Sequence, residues 1–533
     1  MGTSHLIETG FQSLPSAGTA REALREKGQF WTPPWLAKVM AAWVTEQQPE
    51  ELFDPAVGPG TFFSAARAVG YTGRFDGFEL HETAFEDGEK LGLTAHDFSR
   101  IQIGDFISSR LTRTFPAVIS NPPYIRHHRL GDERKSGLRT ISERVLGFAL
   151  DGRVGLHVYF LLKCLEHLSP SGRLAFLLPA DVCEGVSSNA LWNRLCERYR
   201  LEAVLTFDES AAPFPQVDTN AVVILMSRNA PCAHLKWLRV KEQNVEAILR
   251  ALQGNANGPG SEKAVVCHDR VLSEALATGF SRPPRPTAWH GVALSYFARI
   301  VRGIATGANE FFFLTSEQVR SLEIAPRFLI RAIGRTRDCP GEVLRPSTLE
   351  HLDLAGRPTW LLNLDNAPKE KLPAGLRKHL ESGERQQFHR RPLIQSRRPW
   401  YKMEQRNPPP ILFAYLGRRD CRFILNEAGV VPLSGFLCVY PLVTQKEEVK
   451  RLWHALNHPD TLRNLAFAGK SYGGGALKVE PRQLDGLEIP ESVLREVGLE
   501  SPKVATELFL FEEAARQDAS KSSHKAALMG LKL

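Results

Sequence analysis

Four consecutive residues, Asn121-Pro122-Pro123-Tyr124, carry the most specific chemical signal in the chain. They follow a short apolar run, residues 117–120, that reads as a buried strand. In an open parallel sheet, ligands bind at the carboxyl ends of the strands. Pro122 has no N–H and the two prolines fix the backbone. The carbonyl of Pro122 and the side-chain carbonyl of Asn121 can therefore be aimed at one donor group, with Tyr124 as a flat face for stacking. Two converging acceptors beside an aromatic platform suit a planar substrate carrying an NH₂ group. The exocyclic amine of a purine is a poor nucleophile because its lone pair is delocalised into the ring. Accepting two hydrogen bonds from it favours a more pyramidal nitrogen with a lone pair free to attack, and neither a strong base nor a metal is needed. Taken alone, the four residues also suit an ordinary turn after a strand. What lies upstream decides between the two.

Upstream, residues 52–62 (LFDPAVGPGTF) run from a strand through a glycine turn into a helix. Gly58 and Gly60 lack the Cβ atoms that would keep a ligand from the backbone at a helix N-terminus. The pattern is not a full G-x-G-x-x-G fingerprint, so a dinucleotide is not the natural ligand. Glu79 ends the next strand about 20 residues on, where an acid can accept both ribose hydroxyls. Together these features predict a ribose-bearing ligand.

In this order the residues resemble the N6-adenine DNA methyltransferases that use S-adenosylmethionine, and among them the TaqI-like (γ-class) type II modification methylases. There the cofactor motifs come first, Asn-Pro-Pro-Tyr next and the target-recognition domain last. The resemblance implies that Asn121, Pro122, Pro123 and Tyr124 form the catalytic motif. It implies that Phe30, Thr32 and Pro33 close over the methionine end of the cofactor, that Asp54, Ala56, Gly58 and Gly60 form its turn, and that Glu79 holds the ribose. Asp105 would meet the cofactor's adenine amino group while Phe106 packs on its ring. In the segment Ala212-Pro213-Phe214-Pro215-Gln216, Phe214 would stack on the flipped base opposite Tyr124. The turn departs from the family pattern by carrying Pro59 between its glycines.

The elements that must position these groups follow from the pattern. Strand-like runs at 51–54, 74–78, 101–103, 117–120, 174–178, 203–207 and 221–226 alternate with helical stretches. This predicts an α/β fold with a doubly wound, mostly parallel, Rossmann-like sheet. The expected organisation is a loose leader at 1–20, a catalytic domain at 21–230 and a connecting region at 231–288. A mixed α+β target-recognition domain at 289–495 and a helical tail at 496–533 complete it. The breaker-rich stretches 253–261 (QGNANGPGS) and 281–287 (SRPPRPT) mark the connecting region.

Composition narrows the partners. The 533 residues carry 67 Lys+Arg against 59 Asp+Glu. Up to Asn229 there are 23 basic and 27 acidic residues, and beyond it 44 and 32. A basic rear half fits a polyanionic partner, here double-stranded DNA. A duplex base must be rotated out before it can be modified, so a second domain has to grip the duplex. Arg397, Arg398, Trp400, Tyr401, Arg418, Arg419, Lys470 and Tyr472 are the expected contacts in the rear half. Arg126, His127 and Arg129 are expected to meet phosphates beside the flipped nucleotide. The eight cysteines form no C-x-x-C pair, so neither a disulfide framework nor a metal is expected. The absence of a signal sequence and of long apolar runs predicts a cytoplasmic protein. A separate cognate endonuclease would share the site without being a stable subunit. RNA adenine or protein glutamine as substrate, with the same chemistry, is one alternative. A catalytically silent DNA-binding module is the other.

Overall fold

A computed structural model describes residues 30–125, 132–183, 188–214, 220–255, 261–284, 291–414, 421–468, 470–472 and 476–500. Contacts divide the chain into a front unit, 1–286 with 470–476, and a rear unit, 287–469 with 477–533.

The front unit is built on nine strands: β1 (Glu51–Asp54), β2 (Arg74–Glu79), β3 (Ile101–Ile103), β4 (Phe115–Ser120), β5 (Leu168–Pro179), β6 (Arg200–Phe207), β7 (Ala221–Ser227), β8 (His234–Val240) and β9 (Val265–Val271). Their order is β3-β2-β1-β4-β5-β7-β6-β8-β9. Strands β3, β2, β1, β4 and β5 are parallel neighbours. Strand β7 runs antiparallel between β5 and β6, β8 is parallel to β6 and β9 antiparallel to β8. The sheet is therefore mostly parallel and wound both ways from β1, as the alternation predicts.

Side-chain alternation divides the core into two layers. In the β1–β4 register Leu52 lies opposite Ala117 and Phe53 opposite Val118. Leu52, Ala117 and Ile119 join the layer under α1 (Pro34–Val44), α2 (Thr61–Ala68) and α6 (Val245–Leu252). Phe53 and Val118 face the layer of α3 (Asp132–Leu146), α4 (Leu156–Glu166) and α5 (Ser188–Cys196). This is the period-2 pattern of a strand buried on both faces. Helix α1 (PWLAKVMAAWV) is apolar on nearly every side, and seven of its eleven residues are buried.

Residues 231–288, expected as a connecting region, instead supply β8, α6 and β9 and widen the sheet. Trp237 is 2% exposed and its indole donates to Phe280 O at 2.9 Å. The expected leader, and the expected helical tail beyond residue 500, lie outside the described residues.

The rear unit holds a five-stranded sheet ordered Ala298–Arg302, Phe436–Pro441, Ile411–Ala414, Arg422–Asn426, Val343–Leu344. It also holds a four-stranded sheet ordered Phe313–Leu314, Trp360–Leu362, Leu329–Ile333, Val431–Pro432. Helices such as Lys446–Asn457 pack on the first sheet, giving the mixed α+β character expected.

One cation staples β1 to β2. The Arg113 guanidinium donates to Glu51 at 2.7 Å and to Asp76, and stacks over Phe115 at 4.7 Å. Both carboxylates are nearly buried; removing the cation strands Glu51 and leaves Asp76 with Arg100 alone, at 3.3 Å. Arg113→Ala is expected to destabilise the front unit by about 3 kcal/mol in chemical denaturation.

Candidate active site

The strand order reverses between β1 and β4, and at that switch point an α/β sheet opens a crevice at its carboxyl edge. A cavity of about 590 Å³ lies there, within the usual size of small-molecule sites, about 300–1,000 Å³. Phe30, Thr32, Ala56, Gly58, Glu79, Asp105, Phe106, Asn121 and Pro123, all predicted site residues, line it. Asp54, Gly60, Pro33, Pro122, Tyr124 and Phe214 are not on its surface.

The turn after β1 is held at both ends. Asp54 is 1% exposed, and its Oδ1 accepts from Ala56 N and from Ser120 Oγ, each at 3.0 Å. Burial pushes the Asp54 carboxyl up to about 7, with nearby Glu79 adding to the shift against the two hydrogen bonds. Gly58 and Gly60 adopt φ of +56° and +85°, which side chains disfavour. A Cβ on Gly60 would sit 2.5 Å from Leu93, whereas Gly58 faces open space. One glycine thus serves packing, and the other bares backbone to the cavity.

Glu79 closes the turn from β2. Its Oε2 accepts from Gly58 N at 2.8 Å, and its Oε1 from Leu80 N at 2.8 Å and His81 N at 3.1 Å. Three N–H groups leave the carboxylate about one further acceptor position. Beyond β3, the Asp105 carboxylate accepts from Ile107 N at 3.1 Å and Ser108 Oγ at 2.8 Å. Phe106, 2% exposed, is packed by Phe53, Phe78 and Phe160 at 5.9, 5.6 and 5.1 Å.

Asn121 follows β4 directly. Its amide nitrogen donates to Phe30 O at 2.7 Å and to Thr32 Oγ1 at 3.2 Å. With both donors engaged, the amide is oriented, and Oδ1 remains as an acceptor with no partner among the described residues. The Pro123 carbonyl accepts from Ile125 N at 3.1 Å. Tyr124 meets His157 edge-on at 5.7 Å between centroids. The Tyr124 hydroxyl and His157 Nδ1 are buried without a hydrogen-bond partner among the described residues. Burial raises the phenol pKa and lowers the imidazole to about 4, so His157 is neutral. Phe214 is 8% exposed and its ring packs on Phe30 at 6.0 Å.

The sequence reading missed Ser120, Leu156, His157 and Phe160. Ser120 ends an apolar strand, and the others open a helix whose periodicity signals only packing. In the rear unit, one expected DNA contact, Tyr401, is a core residue and another, Trp400, is half-buried against that core. Tyr401 is 4% exposed and its hydroxyl donates to Ala367 O at 2.6 Å. Trp400 packs against Phe311 and Tyr401, and its indole donates to Glu384 at 3.2 Å. Arg397 donates to Ala305 O at 2.7 Å and keeps a second nitrogen, Nη1, buried without a partner among the described residues. Arg398 is exposed and donates to backbone carbonyls of Gln395 and Arg397. Lys470 and Tyr472 lie on a strand paired with Ala476–Lys478. Arg126, His127, Arg129, Arg418 and Arg419 lie outside the described residues.

Known proteins share both halves. Residues 17–247 match the family described as N-6 DNA Methylase, and residues 289–520 match the C-terminal domain of Type II methyltransferase M.Eco57I. The front half thus carries an N-6 DNA methylase domain and the rear half a type II methyltransferase C-terminal domain, the make-up of an adenine-specific type II DNA methyltransferase. Type II methyltransferase M.AccI of Acinetobacter calcoaceticus is 25% identical over 521 residues, spanning 96% of this chain and 93% of the relative. M.XamI of Xanthomonas campestris pv. amaranthicola is 24% identical over 485 residues, spanning 87% and 85%. Among solved structures, the Type IIL restriction-modification enzyme MmeI in complex with DNA aligns with a TM-score of 0.49 at 12% identity. That alignment covers 93% of this chain and 76% of the other.

A carboxyl that binds its proton more tightly when folded makes stability fall as pH rises from its unfolded to its folded pKa. For Asp54 that window runs from 3.8 to about 7. Asp54→Asn keeps an oxygen for Ala56 and Ser120, so the variant is expected to lose that slope. Denaturation of both proteins at pH 5 and pH 8 measures it.

Proposed function

We propose that this adenine-specific DNA methyltransferase binds S-adenosylmethionine in the cavity and delivers its methyl group to N6 of an adenine rotated out of duplex DNA. It would serve as the modification component of a restriction–modification system acting in the cytoplasm. The observation that carries this reading is the Asn121 amide, whose donors are spent on Phe30 and Thr32 so that only an acceptor remains on the cavity wall.

The residues fit the cofactor. Gly58 bares the turn, Glu79 retains an acceptor for a ribose hydroxyl, and the Asp105–Phe106 pair offers an acid and a ring edge for a purine. When bound, S-adenosylmethionine supplies an electrophilic methyl on sulfonium. Asn121 Oδ1 and the Pro122 carbonyl accept the two N6 protons of the target adenine and localise the nitrogen lone pair. Tyr124 stacks on the base. Phe214, whose ring meets that of Phe30, would face the base opposite Tyr124. The protein supplies orientation and fixed dipoles rather than a base. Transfer would form the new C–N bond as the methyl–sulfur bond breaks, with S-adenosylhomocysteine as the leaving group and one N6 proton released to solvent.

The rear unit would hold the duplex. Its exposed arginines, Arg398 among them, suit phosphates. The order of the motifs along the chain agrees with the TaqI-like arrangement.

The decisive assay uses the full chain with methyl-labelled S-adenosylmethionine and unmethylated genomic DNA, with RNA and protein extracts in parallel. Label in N6-methyladenine of DNA is expected; label confined to RNA or protein would overturn the substrate. Asn121→Ala should bind cofactor normally and lose transfer by about 10²-fold or more. Glu79→Ala should weaken cofactor binding while kcat at saturation holds. Replacing Arg397 and Arg398 together by alanine should weaken DNA binding and flatten its salt dependence.

A further inference from the structure

Lys163 on α4 is 3% exposed, and no carboxylate among the described residues forms an ion pair with it. Its Nζ donates instead to four oxygens of one loop: Phe106 O at 2.5 Å, Ser109 O at 2.6 Å, Ile107 O at 3.1 Å and Ser109 Oγ at 3.1 Å. The same nitrogen lies 4.7 Å from the centre of the Phe106 ring. A buried ammonium is costly unless its donors are satisfied, and here a single side chain gathers the carbonyls of residues 106, 107 and 109. The loop's other side, Gly104, Asp105 and Phe106, lines the cavity. Phe106 is also backed by Phe160, one turn before Lys163 on the same helix.

We propose that Lys163 is a positioning residue of the cavity, its ammonium setting the 106–109 backbone and through it the Asp105 carboxylate and the Phe106 ring against the adenine end of S-adenosylmethionine. The inference rests on the cofactor reading given above. The lysine touches neither cofactor nor substrate and acts through the loop alone. Its charge is what the loop uses, since an uncharged amine has only two donors for four acceptors.

That charge is poised near neutrality. Burial brings the Lys163 ammonium down to about 8. Asp105 from the loop and Cys164 and Glu166 from α4 support the charged form, and Arg144 of α3 opposes it. Arg144 is itself held by Glu166 through two hydrogen bonds of 2.5 and 2.7 Å. Because the protonated lysine holds the loop, cofactor affinity is expected at full strength below pH 8 and to fall above it.

The test is direct binding of S-adenosylmethionine to the full-length protein by titration calorimetry from pH 7 to pH 9.5, with kcat and KM on DNA alongside. For the wild type, Kd is expected to rise about tenfold across that range, the equivalent of 1.4 kcal/mol. Lys163→Met should raise Kd about tenfold already at pH 7, flatten the pH dependence and leave kcat at saturation within about twofold. Lys163→Arg keeps a charge at every pH used and should recover affinity and remove the alkaline decline. Should Lys163→Met fail to fold, the wild-type titration and the arginine variant still decide. A wild-type Kd independent of pH, or a Lys163→Met protein that binds as tightly as wild type, would overturn the proposal. A wild type that binds no S-adenosylmethionine at all would overturn the cofactor reading instead.

Discussion

Asp54 Oδ1 accepts from the backbone of the glycine turn and from the hydroxyl of Ser120, and so joins the carboxyl ends of two neighbouring parallel strands. The turn that bares backbone to the cavity leaves one strand, and the catalytic motif leaves the other. The sheet sets their spacing and register, and this one shared oxygen ties the two segments together where they leave it. Around it the site is layered. Glu79 ties the turn to β2, and the 30–32 segment ties Asn121 to the chain entering α1. The lysine behind Phe106 braces the third wall. Each wall is therefore fixed by a polar contact to backbone rather than by packing alone, as a site that must hold reacting groups in place requires.

The front half was legible because its signals are local. An apolar run followed by Asn-Pro-Pro-Tyr, and a strand followed by paired glycines with an acid about 20 residues later, need no knowledge of tertiary contacts. Strands β8 and β9 were not legible. His234–Val240 alternates exposed and buried positions, Val265–Val271 carries His268, Asp269 and Arg270, and glycine- and proline-rich stretches flank the pair. Two short strands set apart by a glycine-rich stretch, the second of them polar and at the sheet edge, look like a linker until pairing shows otherwise. The partners of Asn121 and Lys163 were equally out of reach, because a backbone carbonyl leaves no mark on the sequence.

Charge was the least faithful guide. Arg270 is fully buried and is spent on Glu274, Thr278 and the carbonyls of Gly279 and Arg282. Arg331 serves Asp353 and Thr359 and stacks on Trp360 at 4.3 Å. The string Arg397-Arg398-Pro399-Trp400-Tyr401 reads as a cation–aromatic surface, yet its aromatics pack into or against the rear core. A guanidinium offers five donors in a fixed fork, which makes it as useful inside a fold as against a phosphate. The basic excess of the rear half therefore overstates what is free to meet DNA.

The clamp on Asn121 has a consequence for how the protein comes into being. Its partners are 91 and 89 residues away along the chain, the Asp54–Ser120 bond spans 66, and the lysine reaches back 57. Each of these three ties closes a long loop, unlike the short-range bonds of Glu79 and Asp105, and such closures come late because their entropy must be met before any contact rewards it. A nascent chain halted before α4 would carry all of the Asn-Pro-Pro-Tyr motif and two of the three ties, but no brace behind Phe106. The pocket is thus completed only once α4 has docked rather than when the residues that do the chemistry have been made, and a copy lacking that helix has no complete pocket with which to act.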